Sequence, residues 1–113
     1  MGGARRKGDI IMQDFSQGDI IKINGFRSSF LIVSKNAFIR AVNMFHVCPL
    51  LSGVQEGPLH IHVTGVCDTE GVVICEQVKL IDPAARGCKR IDRLPYGMLM
   101  NISDALQGIF EYD

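Results

Sequence analysis

The chain has 113 residues, with 12 Lys and Arg set against 12 Asp and Glu, and it is 47% hydrophobic and 21% charged. That length suits one domain that buries its own core, and zero net charge excludes a generally basic nucleic-acid coat, so any polyanion site has to be local. No apolar run reaches membrane-spanning length and no secretory leader is evident, so a cytoplasmic protein without membrane contact is expected.

The segment GDIIMQDFSQGDII, residues 8–21, repeats Gly-Asp-Ile-Ile at Gly8 and at Gly18. The second copy continues as DIIKIN, whose isoleucines suit a buried strand, so the domain is expected to open there and to occupy 17–113. Residues 1–16 are then a flexible extension. ARRKGDII ahead of Met12 is compatible with codons spelling a purine-rich ribosome-binding sequence, with native synthesis beginning at Met12.

DIIKIN is followed by SFLIVS, AVNMFHVCPLL, LHIHVTGV and GVVICEQVKLI, each rich in Ile, Val or Phe and bounded by Gly, Pro, Asn or Ser. The pattern predicts a β meander with a hairpin at CDTEG, where a polar tip and a positive φ suit a tight connection. In LHIHVTG, period-two alternation places His60 and His62 on one face and Leu59, Ile61 and Val63 on the other. Cys48, Cys67, Cys75 and Cys88 lack CxxC pairing, so they read as reduced thiols, and neither a metal site nor a cofactor is expected.

Residues 79–93, KLIDPAARGCKRIDR, concentrate Lys79, Arg86, Lys89, Arg90 and Arg93 around Asp82 and Asp92. Such clusters usually solvate, and phosphate binding is the second reading. Within them, Asp82, Pro83 and Gly87 suit one capped helical turn. From Pro95 the period changes, because Met98, Leu99, Ile102, Ala105, Leu106, Ile109 and Phe110 recur at three- and four-residue steps. The elements add up to a mainly β chain with α: a small, curved β-barrel with one C-terminal helix.

QGDIIKIN, FLIVSKNAFIR, HVCPLLSG and the long block GVVICEQVKLIDPAARGCKRIDRLP, in that order over about residues 17–111, resemble the MazF/PemK/Kid family of toxins. The resemblance implies an SH3-like barrel of the CcdB/PemK/MazF kind and a homodimer with an RNA groove spanning both subunits. It also implies a cognate antitoxin whose disordered tail folds into that groove. The activity implied is that of an mRNA interferase: metal-independent, sequence-selective cleavage of single-stranded RNA through a 2′,3′-cyclic phosphate.

The family sets its chemistry on a long loop ending Gly-x-Arg-Pro, on a Thr in V-x-P-(I/L)-T-S and, in Kid-like members, on an Arg and an acid in a later strand. Here only GFRSS separates Asn24 from Phe30, so Arg27 is the nearest match to the loop Arg, with Ser28 beside it. Leu51 stands at the Thr, Ser52 keeps the neighbouring hydroxyl, Ile74 replaces the strand Arg and Glu76 matches the acid. His46, His60 and His62 are the remaining acid–base candidates. The resemblance thus points to Arg27, Ser52 and Glu76 as catalytic, with His60 as this chain's own addition, and to Ser28, Gln77 and Lys79 as nucleic-acid contacts. The alternative is a catalytically degenerate binding module for nucleic acid or for a protein such as gyrase, which the lost Thr and loop would suit.

Overall fold

Among the described residues the first strand is β1, Asp19–Ile23, in the second Gly-Asp-Ile-Ile copy, and Gly18 shows why the chain turns there. Its φ of +93° is accessible mainly to glycine, and a Cβ would press on Leu99 at 3.1 Å. Its N–H donates to the Ile32 carbonyl (2.9 Å) and its carbonyl accepts from Leu94 N–H (2.8 Å), tying this turn to two distant segments. The computed structural model describes residues 15–111. The leader hypothesis for residues 1–11 and most of the expected extension lie outside them.

The elements that follow are β2 (Ser29–Ile32), α1 (Asn36–Val42), β3 (Phe45–Leu51), β4 (His60–Thr64), β5 (Glu70–Ile74), β6 (Lys79–Ile81), β7 (Cys88–Arg93) and α2 (Tyr96–Phe110). The strands pair antiparallel in the order β4-β5-β3-β2-β1-β7, with β6 on β3; among the described residues β4 and β7 end the path, so the barrel-like sheet is open there. Both faces of its centre are buried. Ile21, Ile23, Phe30, Ile32, Phe45 and Val47 enter one core, while Ile20, Leu31, Cys48 and Leu50 enter the other. Double-sided burial is why these strands read as near-continuous apolar runs. Phe15 also joins the first core, its ring tilted against that of Phe45 with centroids 5.4 Å apart.

α2 closes the second core through Met98, Ile102, Ala105, Leu106 and Ile109 as its spacing predicts, whereas Phe110, expected on the same face, is exposed at the end of the helix. Gly97 and Gly108 lie in its first and last turns, and a Cβ at either would meet nothing within 4 Å. Gly97→Ala is therefore expected to stabilise the fold, by about 0.5 kcal/mol because helix propensity is damped near an end. The measurement is a urea midpoint that rises at unchanged slope; a lower midpoint would show that the glycine serves a contact.

Three segments depart from the sequence expectation. AVN does not begin a strand: it ends α1, where Asn43 takes φ +58° and its N–H donates to the Ile39 carbonyl. GVVICEQVKLI is not one strand, because β3 pairs with β5 through Leu50 and Leu51 but with β6 through residues 45–47, so the chain turns at residues 75–78 to change position along β3. CKRIDR keeps Lys89, Arg90 and Arg93 exposed, as a solvated run would, but it is also a strand, β7, paired with β1, and Asp92 is its buried residue. The turn at DPAARG follows expectation, with the Asp82 carboxylate accepting Ala84 N–H at 3.0 Å.

Two buried carboxylates sit at the β1–β7 edge. Asp92 accepts N–H groups from Cys67 and Thr69 (2.9 Å each) and from Arg93 (2.7 Å), which pins the loop between β4 and β5. The expected hairpin is there, but the positive φ falls on Asp68. Asp19 Oδ2 accepts Ser16 N–H and lies 3.6 Å from Arg90 Nη1, while Oδ1 has no hydrogen-bond partner among the described residues. Burial pushes the Asp19 carboxyl up, against Ser16 N–H and the Arg90 and Arg93 charges.

Candidate nucleic-acid groove

β1 exposes one residue in five, Lys22, because its isoleucines and Asp19 all face cores. At the turn into β2, Phe26 folds inward and meets Phe30 edge-on, with centroids 5.3 Å apart. That anchor leaves the next residue, Arg27, exposed. Lys22 Nζ donates to the Arg27 carbonyl at 2.7 Å, bracing the turn from the strand side. Between this turn, the end of β3 and the start of β5 lies a groove of about 460 Å³ whose polar lining includes Lys22, Arg27, Ser28, Ser29, Ser52 and Glu70. A phosphodiester laid there would meet two cations and several hydroxyls, the donors that a phosphate's oxygens accept from.

Arg27, Ser28 and Ser52, separated by some 25 residues in sequence, thus come together as the motif order implies. Leu51, at the position of the family Thr, lines the same groove and offers no hydrogen bond. Glu76 and His60 do not line it. Glu76 lies in the turn after β5, where its Oε2 sits 2.9 Å from His60 Nε2. This hydrogen bond raises the His60 imidazole and lowers the Glu76 carboxyl. Ile74, at the family Arg, is buried in the sheet.

Gln77 is in the same turn as Glu76, its N–H donating to the Ile74 carbonyl at 3.2 Å. Lys79 is held elsewhere: its Nζ lies 5.3 Å from the Phe26 ring centroid, with the Arg86 guanidinium at 5.2 Å. The pair gives a cationic surface on the residue next to Arg27. His46 lies by Ser34, with Nδ1 3.3 Å from the hydroxyl. Among the described residues no group of His, Cys, Asp and Glu could hold a metal ion. The cysteines are unpaired, and burial pushes the Cys48 and Cys75 thiols up to about 12 and about 11, so neither is a nucleophile at neutral pH.

Sequence reasoning passes over Lys22 and Glu70. The signal for Lys22 is present, as the one charged residue in IIKI. Glu70 reaches the groove through the register of β5 on β3, which no local pattern displays.

A family model described as the PemK-like, MazF-like toxin of type II toxin-antitoxin system matches residues 6–110. This chain belongs to that family. The match starts ahead of β1 and takes in both Gly-Asp-Ile-Ile copies. Among PemK/MazF-like relatives, Endoribonuclease PemK of Escherichia coli is 35% identical over 83 residues, covering 70% of this chain and 62% of that protein. The chain therefore spans less than two thirds of that relative's length. The fold matches MazE-MazF (Form-I) from Deinococcus radiodurans with a TM-score of 0.73, at 20% identity over 84% of this chain and 94% of that one. It also matches an endoribonuclease in complex with its cognate antitoxin from a mycobacterial species with a TM-score of 0.72, at 18% identity over 88% of this chain and 99% of that one. At such identities the likeness establishes a MazF fold, and the groove's chemistry has to come from this chain's own residues.

Proposed function

We propose that this PemK/MazF-like chain is the toxin of a toxin–antitoxin module and cuts single-stranded RNA. In this reaction the ribose 2′-oxygen attacks the adjacent phosphorus and the bond to the 5′-oxygen breaks. One fragment ends in a 2′,3′-cyclic phosphate and the other begins with a 5′-hydroxyl. The observation that carries the reading is the convergence of Arg27 and Lys22 with the Ser28, Ser29 and Ser52 hydroxyls on one groove. Charge builds on the phosphoryl oxygens in the transition state, and preorganised cations and donors aimed there contribute most to such catalysis. Lys79 on Phe26, and Gln77 in the turn beyond, take flanking parts of the strand.

The partners follow from the same membership. Relatives of this fold are known as MazE-MazF and as an endoribonuclease with its cognate antitoxin, so an antitoxin segment and a second copy of the chain are the partners assigned here. The site of action is the cytoplasm, where mRNA is found; among the described residues no helix is long and apolar enough to cross a membrane. One observation favours the degenerate binding module: Leu51 and buried Ile74 occupy the positions of the family's Thr and strand Arg.

The test is incubation of the protein with single-stranded RNA oligonucleotides in EDTA, beside DNA of the same sequence. Discrete RNA fragments ending in cyclic phosphate, with the DNA intact for want of a 2′-hydroxyl, are expected. RNA bound but left whole would establish the binding module instead.

A further inference from the structure

The reaction needs a group to take the 2′-hydroxyl proton, and the groove restricts the choice. Among the described residues its lining holds Lys22 and Arg27, which are cations, several Ser and Thr hydroxyls and apolar residues, and one carboxylate, Glu70, with no histidine. A lysine or arginine that is protonated cannot accept, and a hydroxyl is a very weak base. Resting on the nuclease reading above, we infer that Glu70 is the general base of this groove and that His62 is the residue that positions it.

The backbone explains how Glu70 comes to lie there. It is the first residue of β5, opposite Thr64 of β4. The next residue, Gly71, lets β5 close on β3, since a Cβ there would sit 3.0 Å from the Leu50 side chain and from the Leu51 carbonyl. The carboxylate is thereby carried to the end of β3, where Ser52 faces the same groove.

His62, on β4, reaches across to it: Nε2 lies 2.7 Å from Glu70 Oε2. An ionised carboxylate only accepts, so Nε2 carries the proton and donates. This fixes one oxygen and leaves Oε1 for the substrate. Glu70 is 65% exposed, so a ribose can reach it. The charged and titratable groups around the pair are His60 on β4, itself joined to Glu76, and Lys22 and Arg27 across the groove; β5 is the only strand paired with β4 among the described residues.

In the step itself the 2′-O–H bond breaks and its proton passes to Glu70. The oxygen's electron pair forms the new bond to phosphorus, the P–O5′ pair leaves with the 5′-oxygen, and that oxygen takes a proton from water, whose hydroxide takes back the proton held by Glu70. No redox change occurs and no further reactant is needed.

The experiment compares wild type, Glu70→Gln, Glu76→Gln, His62→Ala and His62→Gln on one RNA oligonucleotide, with kcat, KM and, by fluorescence polarisation on an uncleavable 2′-deoxy analogue, Kd. Glu70→Gln is expected to lower kcat about 100-fold, the usual scale for a positioned base, with Kd unchanged or tighter because a negative charge leaves a phosphate groove. His62→Ala should lower kcat about tenfold at unchanged KM, and His62→Gln, which still offers an N–H to the carboxylate, should restore most of it. A Glu70→Gln enzyme at wild-type kcat, or a loss confined to Glu76→Gln, would overturn the assignment and move the base to the His60–Glu76 pair. Wild-type protein that cuts no RNA would instead fail the nuclease reading, before any variant is compared.

Discussion

Arg27→Ala is expected to reduce RNA cleavage about 1,000-fold, the upper range for removal of one charged transition-state donor, with no loss of fold. The side chain is exposed and belongs to no core, so its removal leaves no cavity. The turn that presents it is held by Phe26 against Phe30 and by Lys22 on the Arg27 carbonyl, none of which the substitution removes. What disappears is the guanidinium fork, which can give two parallel N–H bonds to phosphoryl oxygens as charge develops. Arg27→Lys keeps the charge and loses the fork, so an intermediate rate is expected. Single-turnover cleavage beside thermal melts measures both. A rate within tenfold of wild type, in a protein that melts normally, would mean that Lys22 alone serves the phosphate. Growth arrest on expression of wild type, absent for Arg27→Ala, would carry the same conclusion into cells.

How much of this is legible in the sequence depends on whether the information is local. The apolar runs at DIIKI, SFLI and FHVCPLL are local, and each forms a strand because burial on both faces leaves few polar interruptions. The closing helix is legible for the same reason. β7 is not, because its one fully buried residue is Asp92, and an acid at a buried position among exposed charges reads as a solvated run. The break inside GVVICEQVKLI is hidden too, since it answers to the two places where β3 accepts a partner and not to any turn residue within the segment.

The site divides along the same line. Arg27, Ser28 and Ser52 are recoverable from the order of motifs along the chain, although the long loop is absent. Motif position assigns the acid to Glu76, which the structure engages with His60 away from the groove lining, while Glu70 arrives by cross-strand register. The two His–Glu pairs, His60 with Glu76 and His62 with Glu70, share strands β4 and β5 or the turn beyond, so alternation alone cannot rank them. The groove distinguishes them.

Asp92→Ala is the substitution expected to cost most stability, about 3 kcal/mol at neutral pH, because it removes the buried charged acceptor that three part-buried N–H groups share. Those donors are Cys67, Thr69 and Arg93, on two separate segments. Gly65 packs directly against the same carboxylate, with no room for a Cβ, so the loop has been shaped around it. Burial pushes the Asp92 carboxyl up, but the N–H donors and the Thr69 side chain outweigh it and hold the group at about 2, below its ordinary 3.8. A carboxyl lowered on folding stabilises above its unfolded value, and that contribution is lost as pH falls from about 4 through about 2. Asp19 works in the opposite sense, since a carboxyl raised by burial favours the fold when protonated and loses that advantage as pH rises through its folded value. Urea midpoints at neutral pH and near pH 2.5 should therefore differ strongly for wild type and little, or in reverse, for Asp92→Ala; an equal acid response in both would show that other carboxyls carry it. The consequence reaches the groove, because Thr69, which donates to Asp92, lines it beside Glu70. Asp92 thus fixes the point where β5 begins, and a folded Asp92→Ala protein should lose kcat along with its stability.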